Sequence, residues 1–128
     1  MKIKTMTVVG FGFVLLLVLS WAAYGLVDSA ARQLSQSFEQ VEQSVSSEKW
    51  DLARENLNLA HDQWETTKQW WSILLDHQEI DNIDISISRL EKYVETHGLS
   101  LSLGEVSTLK MLVEHISDKE KMNLKNVL

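Results

Sequence analysis

His77, Glu79 and Asp81 place three ionisable side chains within five residues, at the end of the tryptophan-rich run WETTKQWWSILLDHQEID, residues 64–81. His77 and Asp81 are four apart and share a face of any helix that contains both. If the chain turns back near Gly98–Leu101, His115 falls opposite roughly Asp84–Ser86, about one turn from Asp81. Two imidazoles and a carboxylate suit a divalent cation, so His77, Asp81 and His115 are the candidate metal residues. The plainer reading is that acids at a helix start meet the positive end of its dipole, and that a nearby histidine caps the helix or hydrogen-bonds a carboxylate. The HxExD spacing also lacks the H-E-x-x-H pattern of helical zinc sites. On balance the sequence assigns no metal and no cofactor.

Catalytic groupings are weaker still. Glu79 and Asp81, two apart on a helix, point in different directions and are poorly placed to flank one bond. No glycine-rich phosphate loop, P-loop or G-x-S-x-G elbow occurs. The absence of cysteine removes thiol nucleophiles, zinc–thiolate sites and disulfides. No catalytic residue is assigned, and the chain is expected not to be an enzyme. His61 and His97 form a second pair: a turn centred near residue 78 places position 61 opposite about 95, which reads as one polar contact in an apolar seam.

The tryptophans belong to that seam. Trp50, Trp64 and Trp71 share a face at heptad spacing, and buried rings of this kind are core features through the area they remove from water. Trp70 lies one position off the face and is the candidate for an aromatic interaction surface. Leu124, Val127 and Leu128, in the ending NLKNVL, are spaced to dock on the bundle or on a partner.

These residues must be positioned by helices. The chain has no proline and only five glycines, so breakers are scarce. Leu34, Phe38, Val41 and Val45 make a narrow stripe over residues 28–46, a stalk or a first bundle helix. Ser46 and Ser47 are placed to cap the next helix. In that helix Trp50, Ala53, Leu57, Ala60, Trp64, Thr67, Trp71 and Leu74 follow a three-four repeat. Ile80, Ile83, Ile87, Leu90, Val94 and His97 make the next stripe. The six-residue step from Leu74 to Ile80 predicts a turn near Asp76, with Asp76-His77-Gln78-Glu79 as a capping box; one bent helix is the alternative. Gly98 is the expected C-terminal glycine of this helix. Ser102-Leu103-Gly104-Glu105 reads as a further capping box before Val106, Leu109, Leu112, Val113 and Ile116. Ser117 is placed to cap a short final piece carrying Met122, Leu124 and Leu128.

The apolar residues are unevenly distributed. Residues 6–27 carry no charge and would reach roughly 33 Å as a helix, enough to cross a bilayer core. Lys2 and Lys4 precede them, Asp28 follows, and Trp21 and Tyr24 fall near the outer end, which predicts a cytoplasmic N-terminus. A cleaved signal peptide is the competing reading, because Ser20-Trp21-Ala22 offers small residues after the apolar run. Ten of the twelve Lys and Arg residues and all eighteen acids lie from Asp28 onward, a net of about −8. That acidic surface disfavours nucleic acid and anionic lipid. The domain reading is therefore residues 1–4 cytoplasmic, 5–27 an anchor, 28–46 a stalk or first helix, and 47–128 a helical bundle.

Across nearly its whole length the chain resembles an uncharacterised domain-of-unknown-function family of short single-span membrane proteins of Gram-positive, often spore-forming, bacteria. The resemblance rests on the apolar N-terminal segment and on the helix ending in Trp70-Trp71. It rests also on His77-Gln78-Glu79-Ile80-Asp81-Asn82-Ile83, Ser88-Arg89-Leu90, Tyr93, Glu114-His115-Ile116 and Asn123-Leu124-Lys125-Asn126-Val127-Leu128. The family has no established activity, so the resemblance implies placement and fold. Encoding beside small multi-span membrane proteins would further imply an accessory subunit.

The expectation is thus an all-α protein: an N-terminal transmembrane helix, then an extracytoplasmic antiparallel bundle of three to four helices. Its expected function is protein interaction, as an accessory subunit of a membrane or envelope complex, with self-association open. A ligand- or divalent-metal-binding domain is the alternative. With about four residues left in the cytoplasm, signalling would pass through a partner.

Overall fold

The structure, a computed structural model, describes residues 1–127. Leu128 and the side chain of Val127 lie outside the described residues, and with them two of the positions assigned above to an interaction surface. Four helices make up the chain: α1 (Lys2–Ser46), α2 (Trp50–Leu74), α3 (His77–Glu95) and α4 (Leu99–Val127). No strand occurs among the described residues.

The first helix is continuous through two regions of opposite character. Its apolar first half stands free, with Val8, Phe11, Leu16 and Leu19 all exposed, and is long and apolar enough to cross a membrane by length and composition. From Val27 onward the same helix becomes amphipathic. Val27, Ala31, Leu34, Phe38, Val41 and Val45 repeat at four and three and are all buried. Residues 28–46 are therefore a packed helix, not a free stalk.

Each helix packs on two others: α1 on α2 and α4, α3 on the same two. Side-chain pairs fix the register. Ser37 meets Gln63 and Ser44 meets Asn56 across α1 and α2; Trp64 meets Asp84 and His61 meets Glu91 across α2 and α3. Ser86 meets Glu105 and Glu79 meets Lys119 across α3 and α4. Glu42 meets Lys110 and Asp28 meets Ser117 across α1 and α4. In each of these sets of pairs, the later residue of one helix meets the earlier residue of the other. The core inside this ring is built from the stripes of all four helices, with Trp64, Trp71 and Phe38 its largest fully buried members.

The connections depart from the sequence expectations in instructive ways. Ser46 and Ser47 do not cap α2: Ser46 ends α1, Ser47 is its C-cap, and Lys49 precedes α2 without a side-chain cap. Both α1 and α3 end in the same hydrogen-bond pattern. Lys49 N donates to Ser44 O and Glu48 N to Val45 O; Gly98 N donates to Tyr93 O and His97 N to Val94 O. This is the Schellman closure, with the left-handed residue one place past the C-cap. Glu48 (φ 54°) and His97 (φ 56°) occupy that position, so Gly98 is not the left-handed residue expected of it.

The slip between the Trp and Ile stripes is a true break. Leu75 and Asp76 are extended, and α2 and α3 form a hairpin rather than one bent helix. Only half of the expected capping box forms there. Asp76 accepts from Gln78 N, while Glu79 turns away to Lys119. The last two expected caps do not exist, because α4 is unbroken. The Ser102 hydroxyl lies buried inside it without a hydrogen-bond partner, and the Ser117 hydroxyl donates to Asp28. Tertiary demand explains both: α4 must start just after Gly98 and run the whole length of the bundle to cover α1 and α3.

Candidate functional site

Three regions concentrate polar or aromatic groups: the tryptophan seam, the α3–α4 groove around His115, and the end of the bundle where α1 leaves it.

The seam is built by α2. Trp64 and Trp71 are fully buried, with ring centroids 5.8 Å apart and planes at 80°, an edge-to-face contact. Trp70 is half-buried, edge-on to Trp71 at 6.0 Å, and packs on the core. Trp64 Nε1 donates to Asp84 Oδ1 at 2.7 Å, and Asp84 also meets Lys68 at 2.7 Å. That hydrogen bond, aided by charge, raises the Lys68 ammonium above the usual lysine value. Trp71 Nε1 is buried without a partner. Trp50, at the start of α2, is not deep seam: it stacks flat on His97, centroids 4.9 Å apart, and the pair closes the far end of the bundle. His97 consequently leaves the α3 stripe, and His61 turns to Glu91 and Glu65 instead of to His97. The hairpin is tighter than a turn at residue 78, which moves the register by about one helical turn.

Helices α3 and α4 frame a groove of about 250 Å³ containing His115 with Asp76, Gln78, Glu79, Asn82 and Lys119. His115 thus meets the start of α3, nearer Asn82 than Asp84–Ser86. His77 and Asp81 are exposed and do not line this groove. Glu79, the groove's best acid, is held by Lys119 at 3.0 Å, which raises the Lys119 ammonium. Among the described residues, no three His, Asp or Glu side chains form a group that would hold a metal ion.

Several of the residues that organise the molecule carry no sequence motif. Asp84, Glu105 and Asp28 each sit beside an apolar stripe and reach across a helix boundary: to Trp64 and Lys68, to Ser86 and Arg89, and to Ser117, while Asp28 also pairs with Arg32 one turn along α1. The Ser117 hydrogen bond and the Arg32 charge hold the Asp28 carboxyl below its ordinary value against the opposing effect of burial. A polar residue one position off a buried stripe was the available signal, but which neighbour it meets depends on register.

The third region is the base of the bundle. A groove of about 240 Å³ there is lined by Ser20, Ala23, Tyr24 and Val27 of α1, Leu74 of α2, and Glu120, Asn123 and Leu124 of α4. Leu74, the last member of the expected Trp stripe, is exposed, and Leu75 is buried in its stead because the chain leaves the helix there. Burial, then the Glu79 charge, raises the Glu120 carboxyl above the usual range.

No curated protein and no solved structure matches the chain. A family model described as "Domain of unknown function (DUF4363)" matches residues 21–127, beginning at Trp21, level with the groove between α1 and the end of α4. With all four helices inside or overlapping that match, the chain belongs to this domain-of-unknown-function family.

Proposed function

We propose that the protein is a membrane-anchored, extracytoplasmic antiparallel four-helix module that serves as an accessory, protein-interacting subunit of a membrane or envelope complex. One observation carries the reading: the apolar half of α1, with no buried residue before Val27, continues without a break into the first helix of an acidic bundle. An exposed apolar surface of that extent is not sustained in water and demands a bilayer or a partner. Lys2 and Lys4 at its start and Asp28 at its end favour insertion with the bundle outside.

The test is affinity purification of tagged full-length protein from native membranes in mild detergent. A stoichiometric membrane or envelope protein in the eluate is the expected result. Recovery of the chain alone, or only as its own oligomer, overturns the accessory-subunit reading. Recovery in the soluble fraction after cell lysis overturns the anchor.

A further inference from the structure

The end of the bundle where α1 emerges carries apolar side chains that nothing in the fold covers. Ile73 is 83 % exposed, Leu74 51 % and Met122 64 %. They flank the groove in which Leu74, Asn123 and Leu124 face Ser20, Ala23, Tyr24 and Val27. Because α1 is unbroken from Lys2 to Ser46, position along it measures height relative to any bilayer it crosses. A hydrocarbon core of roughly 30 Å takes about 20 residues at about 1.5 Å each. Centred between Lys4 and Asp28, it ends near Leu26. Ser20, Ala23 and Tyr24 then lie on the apolar side of that boundary, and the end of α4 lies beside them. No length of chain separates the bundle from the lipid.

We infer that the base of the bundle is a lipid-interface surface, with the Ile73–Leu74 end of α2 and the Met122–Leu124 stretch of α4 seated among the headgroups and upper acyl chains of the leaflet that α1 leaves. The inference rests on α1 spanning the membrane. Its chemistry suits that depth. Trp21 and Tyr24 lie on α1 at the level where aromatic rings favour the interface. Lys121 and Lys125 on α4 are exposed and long enough to lift their ammonium groups towards phosphate. Ile73, Leu74 and Met122 supply apolar area of the kind that interfacial helices bury just below the headgroups. An anchor alone would leave the bundle free to tilt. Two further contacts make the bilayer fix its orientation and hold the α2–α3 turn on the membrane.

The absence of native cysteine makes single-site labelling unambiguous. Full-length V14C, I73C, M122C and L101C variants would each carry an environment-sensitive fluorophore and be reconstituted into phosphatidylcholine vesicles. Leu101, an exposed leucine at the opposite end of the bundle, is the control for labelling at an apolar surface site. Nitroxide-bearing lipid should quench the labels at 14, 73 and 122, while iodide in the water should quench only the label at 101. If 14 is quenched by lipid but 73 and 122 behave like 101, the interface surface is overturned and the span stands. A label at 14 that lipid does not quench overturns both. Labels at 73 and 122 open to iodide in vesicles but shielded in native membranes would overturn the lipid assignment in favour of a protein partner.

Discussion

Trp64 and Trp71 stand one heptad apart, are both fully buried, and differ in the environment of one nitrogen. Trp64 Nε1 bonds the Asp84 carboxylate; Trp71 Nε1 has no partner. Trp→Phe opens a similar space at each site, so the hydrogen bond decides the difference. Trp64→Phe should cost about 1–3 kcal/mol more than Trp71→Phe, because bonds to charged groups are the stronger ones and Asp84 would be left half-buried with one partner fewer. Urea denaturation of the two variants measures it; equal costs would mean that the Asp84 bond contributes nothing net. Glu48 offers the opposite case. Its left-handed backbone costs a side-chain-bearing residue roughly 1 kcal/mol that glycine avoids, so Glu48→Gly should stabilise by about 0.5–1 kcal/mol. Gly98→Ala should be neutral or mildly stabilising, since a Cβ there meets Tyr93 O at 3.5 Å, Leu101 Cβ at 3.7 Å and Leu101 Cδ1 at 3.8 Å, all ordinary van der Waals contacts. A glycine past a helix looks like the left-handed cap, yet the hydrogen-bond pattern places that role on His97, whose ring is fixed against Trp50.

Helix α4 reaches both α1 and α3 through charged side chains, and their titration makes its docking depend on pH. Asp28 has its carboxyl lowered from 3.8, so the folded state holds its ionised form better than the unfolded chain does. That stability is complete above the ordinary carboxylate value and is lost as pH falls through the lowered one. Asp28→Asn should therefore lower the melting temperature at neutral pH and flatten the loss of stability below about pH 4. Thermal melts across that range check it. Glu120 runs the other way. Burial raises its carboxyl from 4.5, so ionisation costs stability as pH rises from 4.5 through the raised value. Glu120→Gln should raise the neutral-pH melting temperature by about 1–3 °C and make little difference at about pH 4. An unchanged neutral melt would mean that water reaches Glu120 freely.

At the scale of the whole molecule, the bundle and the apolar segment are joined by one helix yet depend on different surroundings. Buried side chains of α1 begin at Val27, and the segment before it contributes only to the groove at the base. A fragment beginning at Val27 should retain a helical circular dichroism spectrum and a single cooperative melt; a noncooperative melt would show that the apolar half stabilises the bundle. The same continuity makes α1 a rigid rod of about 67 Å, so any tilt imposed on the anchor is imposed on the bundle.

Much of this architecture is legible from periodicity. The three-four spacing of Leu34, Phe38, Val41 and Val45, of Ala53 through Trp71, and of Ile80 through Val94 identified faces that are buried, because a helix has only one way to remove such a stripe from water. The six-residue step from Leu74 to Ile80 pointed to the turn near Asp76 for the same reason, with one bent helix as the alternative that the extended Leu75 and Asp76 exclude. Composition likewise singled out the apolar stretch whose length suffices for a bilayer. Local signals failed at the ends of helices. Ser47, Ser102 and Ser117 carry the chemistry of caps, but a cap's preference is of order 1 kcal/mol, and the burial gained by running α4 unbroken over α1 and α3 exceeds it. Only the tertiary structure decided the cross-helix partners of Asp28, Asp84 and Glu105, the separation of His77 and Asp81 from the His115 groove, and the level at which the bundle meets α1. Each depends on the register between helices distant in sequence. A shift of one turn changes every such pair while leaving each helix's own pattern intact.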